Sequence, residues 1–193
     1  MSQGKYYKAK SNIALGTVFK QGNKKIGMDT IIFNLTTATD CPSKALGLCQ
    51  LPCVSYCYAL QDEKRYFHYV PVYRMRQGKY WDMVSAETFA ADVLEIVRRR
   101  RTRIRYLRFS EAGDFRNVED IRKMSKVADI LARHRIRLYG YSARRDLVKE
   151  AGKISANMTI NGSGFMWVNS FNALEELPEN GYHCKGDCRR CSY

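Results

Sequence analysis

Strands alternating with helices predict an α/β fold on a mostly parallel sheet, either open or closing part way into a (β/α) barrel. Three observations carry this. β-Branched and aromatic runs at residues 30–35, 104–109, 136–141 and 157–160 are separated by helical patterns of 10 to 18 residues, as in βαβ units. The 193 residues suit a single domain, large enough to bury a proper core. No internal repeat and no low-complexity linker marks a boundary within residues 1–193.

Taken in order, residues 1–28 are polar and dotted with glycine, with a short strand expected at 13–19. The run Thr30-Ile31-Ile32-Phe33-Asn34-Leu35 reads as a buried strand. A cysteine loop follows at once. From Cys53 to about Tyr66 the spacing of Val54, Tyr58 and Leu60 predicts a helix, and residues 73–80 predict a second after Pro71. Ser85 is the N-cap of a helix over 86–100, with Phe89, Val93, Leu94 and Val97 at helical spacing. A strand at 104–109 precedes a helix capped by Asn117 and running to about His134. Then come a strand at 136–141, a helix at 143–153, a strand at 157–160 and a shorter one at 165–168. The last 25 residues hold a turn of helix and a second cysteine cluster.

Hydrophobic residues make up 45% and charged residues 27%, an ordinary balance for a soluble globular protein. No apolar run approaches the roughly 20 residues of a membrane span. The start, Met1-Ser2-Gln3-Gly4-Lys5, lacks the apolar segment of a secretory signal. A reducing cytoplasm is therefore expected, where clustered cysteines are more often metal ligands than disulfides. The formal net charge of +14 exceeds what solubility requires and favours a polyanionic partner, nucleic acid above all. Its one dense knot is Arg98, Arg99, Arg100 and Arg101, followed by Arg103 and Arg105. That knot closes a helix, where cations also suit the dipole. Tyr66, Phe67, Tyr69, Tyr73, Tyr80 and Trp81 lie among Lys64, Arg65, Arg74, Arg76 and Lys79. Such interleaving either stacks bases beside phosphates or buries its rings in the core of an amphipathic helical pair. Helical spacing favours the second reading.

The seven cysteines fall into two clusters, Cys41, Cys49, Cys53 and Cys57 near one end and Cys184, Cys188 and Cys191 near the other. Thiolates this close repel one another unless a cation sits between them, so the pattern calls for a metal. Zinc sites more often use paired C-x2-C knuckles, whereas an iron–sulfur cage accepts ligands from loops of uneven spacing. The gaps here are x3 and x3 at 49–57, and x3 and x2 at 184–191. A cluster of the 4Fe-4S kind, one or two of them, is the expected cofactor. If the 53–57 stretch is already wound, Cys53 and Cys57 share a helical face. Lys185, Arg189 and Arg190 would offset the negative charge of a ligated cluster.

Ligands of parallel α/β folds bind where the strands' C-terminal ends meet the following loops. Those loops are the first cysteine loop, then 110–115, 141–145 and 161–164, all of them polar. Glu111, Asp114 and Arg144 are the candidate catalytic residues there.

The segments Gly22-Asn23-Lys24-Lys25-Ile26-Gly27, Thr39-Asp40-Cys41-Pro42 and Cys53-Val54-Ser55-Tyr56-Cys57-Tyr58-Ala59 resemble the phage gene-product-88 family. Arg108-Phe109-Ser110-Glu111-Ala112-Gly113-Asp114-Phe115 and Tyr139-Gly140-Tyr141-Ser142-Ala143-Arg144 resemble it too, as does the terminal cysteine triplet. Cys49 reads as an addition to that pattern. The resemblance implies a phage protein acting in the cytoplasm of the infected host cell. More distantly, a cysteine loop after the first strand of a partial barrel resembles radical S-adenosylmethionine enzymes. That likeness implies S-adenosylmethionine as a further cofactor, held by Ser110, Glu111, Gly113, Ser142 and Arg144, with Glu111 on its amino group and Arg144 on a carboxylate. The expected function is a phage iron–sulfur protein associated with nucleic acid. The alternatives are a radical enzyme acting on nucleic acid or peptide, and a zinc-stabilised nucleic-acid-binding module.

Overall fold

The computed structural model describes residues 14–23, 25–172, 176 and 179. Strands β1 (Lys20–Gln21) and β2 (Thr30–Phe33) are followed by helices α1 (Pro42–Ala45), α2 (Cys53–Tyr56), α3 (Tyr58–Arg65), α4 (Val70–Met83) and α5 (Ala86–Arg99). Then come β3 (Tyr106–Phe109), α6 (Val118–Ala132), β4 (Arg137–Ser142), α7 (Val148–Ala151), β5 (Met158–Ser163) and β6 (Asn169–Phe171). In the sheet these strands lie side by side in chain order. β1 runs antiparallel to β2, and every later pair is parallel. The parallel pairs from β2 to β5 are joined by long crossovers that contain helices, whereas β5 and β6 are joined by residues 164–168 alone. The mixed α/β fold with a mostly parallel sheet is therefore the one the alternation predicts.

Period-two patterning sorts the strand residues between two faces. Ile31, Phe33, Leu107, Phe109, Leu138, Met158 and Ile160 join Trp81, Phe89, Val93, Ile121 and Val127 in one continuous core. Phe33 meets Phe89 edge-on at 4.7 Å between ring centroids, and Trp81 meets Phe89 at 5.0 Å. On β4, Gly140 belongs to this core face because a Cβ there would lie 2.3 Å from the Phe109 ring. The opposite face is polar and yet buried at Thr30, Arg108, Tyr139, Thr159 and Asn161. A sheet sandwiched between helices on both sides reads as near-continuous apolar strands, and this one does not. Its polar face leads to the strand ends where the site lies.

The predicted caps are present. Ser85 Oγ accepts from Thr88 N–H at 3.1 Å, and Asn117 Oδ1 from Asp120 N–H at 3.1 Å. Other boundaries differ from expectation, each for a local reason. The strand expected at 13–19 is instead a 3-10 turn, Leu15–Thr17, followed by β1. Val18 and Phe19 both donate their N–H to Leu15 O, which a strand could not do. The helix expected over 53–66 breaks at Cys57, whose extended backbone (φ −74°, ψ 103°) starts α3 afresh. Cys57 therefore lies outside α2, and the idea that Cys53 and Cys57 share one helical face is corrected. The helix expected at 143–153 shrinks to a 3-10 turn, Arg145–Leu147, and the four residues of α7. The short strand expected at 165–168 forms at Asn169–Phe171. Among the described residues, no helix is long and apolar enough to cross a membrane.

Asp120 ties α6 to α4 and the preceding loop. It accepts from Trp81 Nε1 at 2.8 Å and from the backbone N, Nε and NH2 of Arg116 at 3.0, 2.9 and 2.8 Å. Burial works to raise its pKa, but these donors outweigh burial and hold the carboxyl below the usual range. A depressed folded value gives stability that is complete above the unfolded value of about 3.9 and is lost as pH falls through the folded one. Asp120→Asn is therefore expected to flatten the acid limb of the stability curve below about pH 4. Urea titrations of both proteins across that range check it, and parallel acid limbs would contradict it.

Candidate functional site

The C-terminal ends of β3, β4 and β5 open into a cavity of about 480 Å³. Cys41, Cys49 and Cys57 line it from one side. Ser110, Glu111, Gly113, Asp114 and Ser142 line it from the strand ends. Three of the four cysteines in the first loop and all but one of the predicted rim residues thus face one space. Each of those three cysteines is half-buried. The Cys53 side chain, and Cys184, Cys188 and Cys191 with their basic neighbours Lys185, Arg189 and Arg190, lie outside the described residues. Among the described residues, no group of three or more His, Cys, Asp or Glu side chains is drawn close enough to hold a metal ion.

Local sequence explains how the cysteine loop is held. Cys41 is the N-cap residue of α1, with Pro42 in the first turn, where a missing N–H loses nothing. Ser43, one step on, donates its hydroxyl to Asp114 Oδ2 at 2.6 Å. The same oxygen accepts the N–H of Ala143 at 2.8 Å, and Asp114 Oδ1 accepts that of Phe115 at 2.8 Å. One buried carboxylate therefore joins the cysteine loop to the ends of β3 and β4. Burial pushes the Asp114 pKa up, while these donors pull it down less strongly. Gln50 Nε2 donates to Ser163 Oγ at 2.6 Å, tying the Cys49 region to the end of β5. Glu63, buried on α3, accepts from Ala38 N at 2.7 Å and from the N and Oγ1 of Thr39 at 3.0 Å each. Arg74 of α4 pairs with Glu63 at 3.0 Å and donates to Ala59 O at 2.8 Å. Ala38, Ala59, Leu60 and Ala112 pack beneath, with Cys57 against them.

The loop after β3 is equally fixed. Asn34 accepts from Ala112 N at 2.7 Å and donates to Gln77 Oε1 at 2.8 Å. Tyr58 donates its hydroxyl to Glu111 O at 2.7 Å and accepts from Arg108 NH2 at 3.2 Å. Gly113 has φ +69°, and a Cβ there would meet Thr36 O at 2.7 Å, so only glycine fits. Ser110 has no such excuse: a non-glycine residue at φ +54°, it is 5% exposed and its Oγ has no hydrogen-bond partner. Strained backbone and an orphaned buried hydroxyl together make Ser110 a candidate ligand-binding position.

Arg144 is used differently from the expectation of a substrate-facing cation. Its guanidinium forms a salt bridge with Asp146 at 2.7 Å and donates to the carbonyls of Phe115 and Arg116. It lies behind the cavity wall, bracing the loops that carry Asp114. Burial first, then the nearby Asp114 carboxylate, pushes the Cys41 thiol up to about 11. Ser43, Tyr58, Glu63 and Arg74 were not expected to hold the site. Ser43 follows a Cys-Pro helix start, and Tyr58 follows Cys57 directly.

A mostly parallel sheet in chain order, with cysteines and polar strand-end residues around one cavity, defines an α/β protein with a cavity at its strand ends. A sequence model of the gene product 88 family matches residues 6–191, and the chain belongs to that phage protein family. No curated protein and no solved structure matches the chain.

Proposed function

We propose that this protein is a phage iron–sulfur protein whose cluster is held by the first cysteine loop beside the strand-end cavity. The observation that carries the reading is the convergence of Cys41, Cys49 and Cys57 on the cavity lined by Ser110 and Asp114. The donor set fits. Soft sulfur ligands from a loop of uneven spacing suit an iron–sulfur cage better than a zinc tetrahedron. The Cys41 thiol, held up to about 11, stays protonated at neutral pH, so a metal bound there would displace its proton. Cys53 and the terminal triplet Cys184, Cys188 and Cys191 would supply the remaining ligands, in one cluster or two. Strands lying in chain order are also those of a partial (β/α) barrel. The +14 charge favours nucleic acid as the partner, within the host cytoplasm.

One observation favours a second reading, a radical S-adenosylmethionine enzyme. The cavity beside the cysteines is roomy, and Ser110, Glu111, Gly113 and Ser142 face it. In that reading Glu111 and Ser110 would hold the amino group of the cofactor, Arg144 would act by bracing the Asp114 loop, and a reduced cluster held by the cysteines would supply the electron.

Anaerobic purification with iron and acid-labile sulfide assays, and paramagnetic resonance with and without S-adenosylmethionine, tests both readings. The expected protein is brown and loses iron and sulfide on Cys41→Ala. A signal that shifts on adding S-adenosylmethionine supports the second reading. A folded, colourless preparation without sulfide overturns both, and stoichiometric zinc in its place establishes the zinc-stabilised module.

A further inference from the structure

The turn between α3 and α4 carries a surface that the cavity does not use. Tyr66, Phe67 and Tyr69 are 52%, 62% and 77% exposed. Three large rings on one turn, all turned outward, run against the usual burial of aromatic area. The Phe67 and His68 rings lie with centroids 3.7 Å apart, tilted by 39°, and His68 stands edge-on to Tyr69 at 6.4 Å. The expectation that these helices bury their rings holds for Tyr80 and Trp81 and fails for this turn.

Charge says what covers it. Lys64 and Arg65 at the end of α3 and Arg76 and Lys79 on α4 are exposed. Positions 72, 75, 76 and 79 recur at helical spacing on the face of α4 opposite buried Arg74, Gln77, Gly78 and Trp81. None of the four cations forms an ion pair with a described residue. Of the exposed arginines elsewhere, Arg98 and Arg99 pair with Glu95, Arg122 with Glu119, and Arg116 with Asp82 and Asp120, while Arg101, Arg103, Arg105, Arg133, Arg135 and Arg145 form no ion pair with a described residue. The acids of this segment are withdrawn, with Glu63 buried on Arg74 and Asp62 half-buried. Rings flanked by unneutralised cations call for a ligand that offers flat apolar faces and phosphates together.

We propose that the α3–α4 corner binds single-stranded nucleic acid, with bases stacked on Tyr66, Phe67 and Tyr69 and phosphates met by Lys64, Arg65, Arg76 and Lys79. A duplex hides its base faces in the stack and could use only the cations. An acidic protein would use the cations and leave the rings in water. Stacking accepts any base, so the corner selects strandedness above sequence.

Fluorescence anisotropy of the full chain with labelled oligothymidylate and oligouridylate, each roughly 20 nucleotides long, tests this against a duplex of equal length. Tighter binding of either single strand than of the duplex is expected, and the tighter of the two identifies DNA or RNA as the source. The pair Phe67→Ala and Tyr69→Ala weakens single-strand binding on the order of tenfold or more and leaves duplex binding unchanged. Arg65→Ala with Arg76→Ala lowers the slope of log K against log salt by about 1.4. Circular dichroism of each variant matches wild type, since every altered side chain is exposed. Equal or tighter binding of duplex, or ring variants that bind single strands as wild type does, overturns the proposal. So does a loss confined to Arg98→Ala with Arg99→Ala. A concentration-dependent dimer in sedimentation, abolished by the ring variants while oligonucleotide affinity stays constant, overturns it in favour of a second copy of the chain.

Discussion

Glu63→Ala is expected to lower the unfolding free energy by about 3–5 kcal/mol, among the largest single effects in the molecule. The carboxylate and Arg74 are 3% and 4% exposed in their side chains, so neither finds water when its partner is lost. Removing Glu63 strands a buried guanidinium and also orphans the N–H groups of Ala38 and Thr39. Those two residues lead directly into Asp40 and Cys41, so the loss is structural and local at once. The variant should bind less iron even at temperatures where its core stays folded. Glu63→Gln keeps an acceptor but loses the charge, and its loss of stability should be smaller. Combining Glu63→Gln with Arg74→Met removes both charges and is expected to recover part of the deficit, because an apolar replacement of a buried pair is often tolerated. Urea denaturation and iron analysis of the three variants check this. A Glu63→Ala protein within about 1 kcal/mol of wild type would mean that water reaches the pair and that the loop is held by other contacts.

The sheet was legible because each central strand is short, β-branched or aromatic, and flanked by strong helix signals. Ser85 and Asn117 announced their helices by capping chemistry that depends on three or four adjacent residues. The same locality explains the failures. Leu15, Val18 and Phe19 look apolar enough for a strand, yet their spacing of three and four is that of a turn. Cys57 sits in a helical pattern but its backbone is extended, since α2 and α3 are separate elements meeting at the cavity. The site was legible in outline: the rule that ligands bind at strand ends brought Ser110, Glu111, Gly113, Asp114 and Ser142 onto the wall that Cys41, Cys49 and Cys57 complete. What holds those residues was not legible. Glu63 lies in Gln61-Asp62-Glu63-Lys64-Arg65, a stretch that reads as solvated surface, and its partners are 24 and 25 residues upstream and 11 downstream. No periodicity reports such a contact. Arg144 shows the reverse error, an arginine beside a strand end that serves the frame through Asp146 and two carbonyls.

Asp114→Ala should be the most damaging change within the cavity wall, with a loss of about 3 kcal/mol or more. It leaves the Ala143 and Phe115 N–H groups and the Ser43 hydroxyl without an acceptor, at about 1–3 kcal/mol for each buried orphan. Asp114→Asn isolates geometry from size. Oδ2 accepts from Ser43 and Ala143 while Oδ1 accepts from Phe115, so whichever way the amide is turned its NH2 group faces a backbone N–H. One donor then opposes another, and a loss of about 1–3 kcal/mol is expected despite the matching shape. Ser43→Ala removes only one partner and should cost about 1 kcal/mol. The order Ala, then Asn, then Ser43→Ala follows if Asp114 is the pin between the cysteine loop and two strand ends. Thermal denaturation ranks the three, and thiol reactivity of Cys41 reports the loop directly. In the Asp114 variants Cys41 should become more accessible to an alkylating reagent before global unfolding. Unchanged Cys41 reactivity in Asp114→Ala would place the hold on the cysteine loop with Glu63 and Gln50 instead, and would leave Asp114 without a structural reason for its burial.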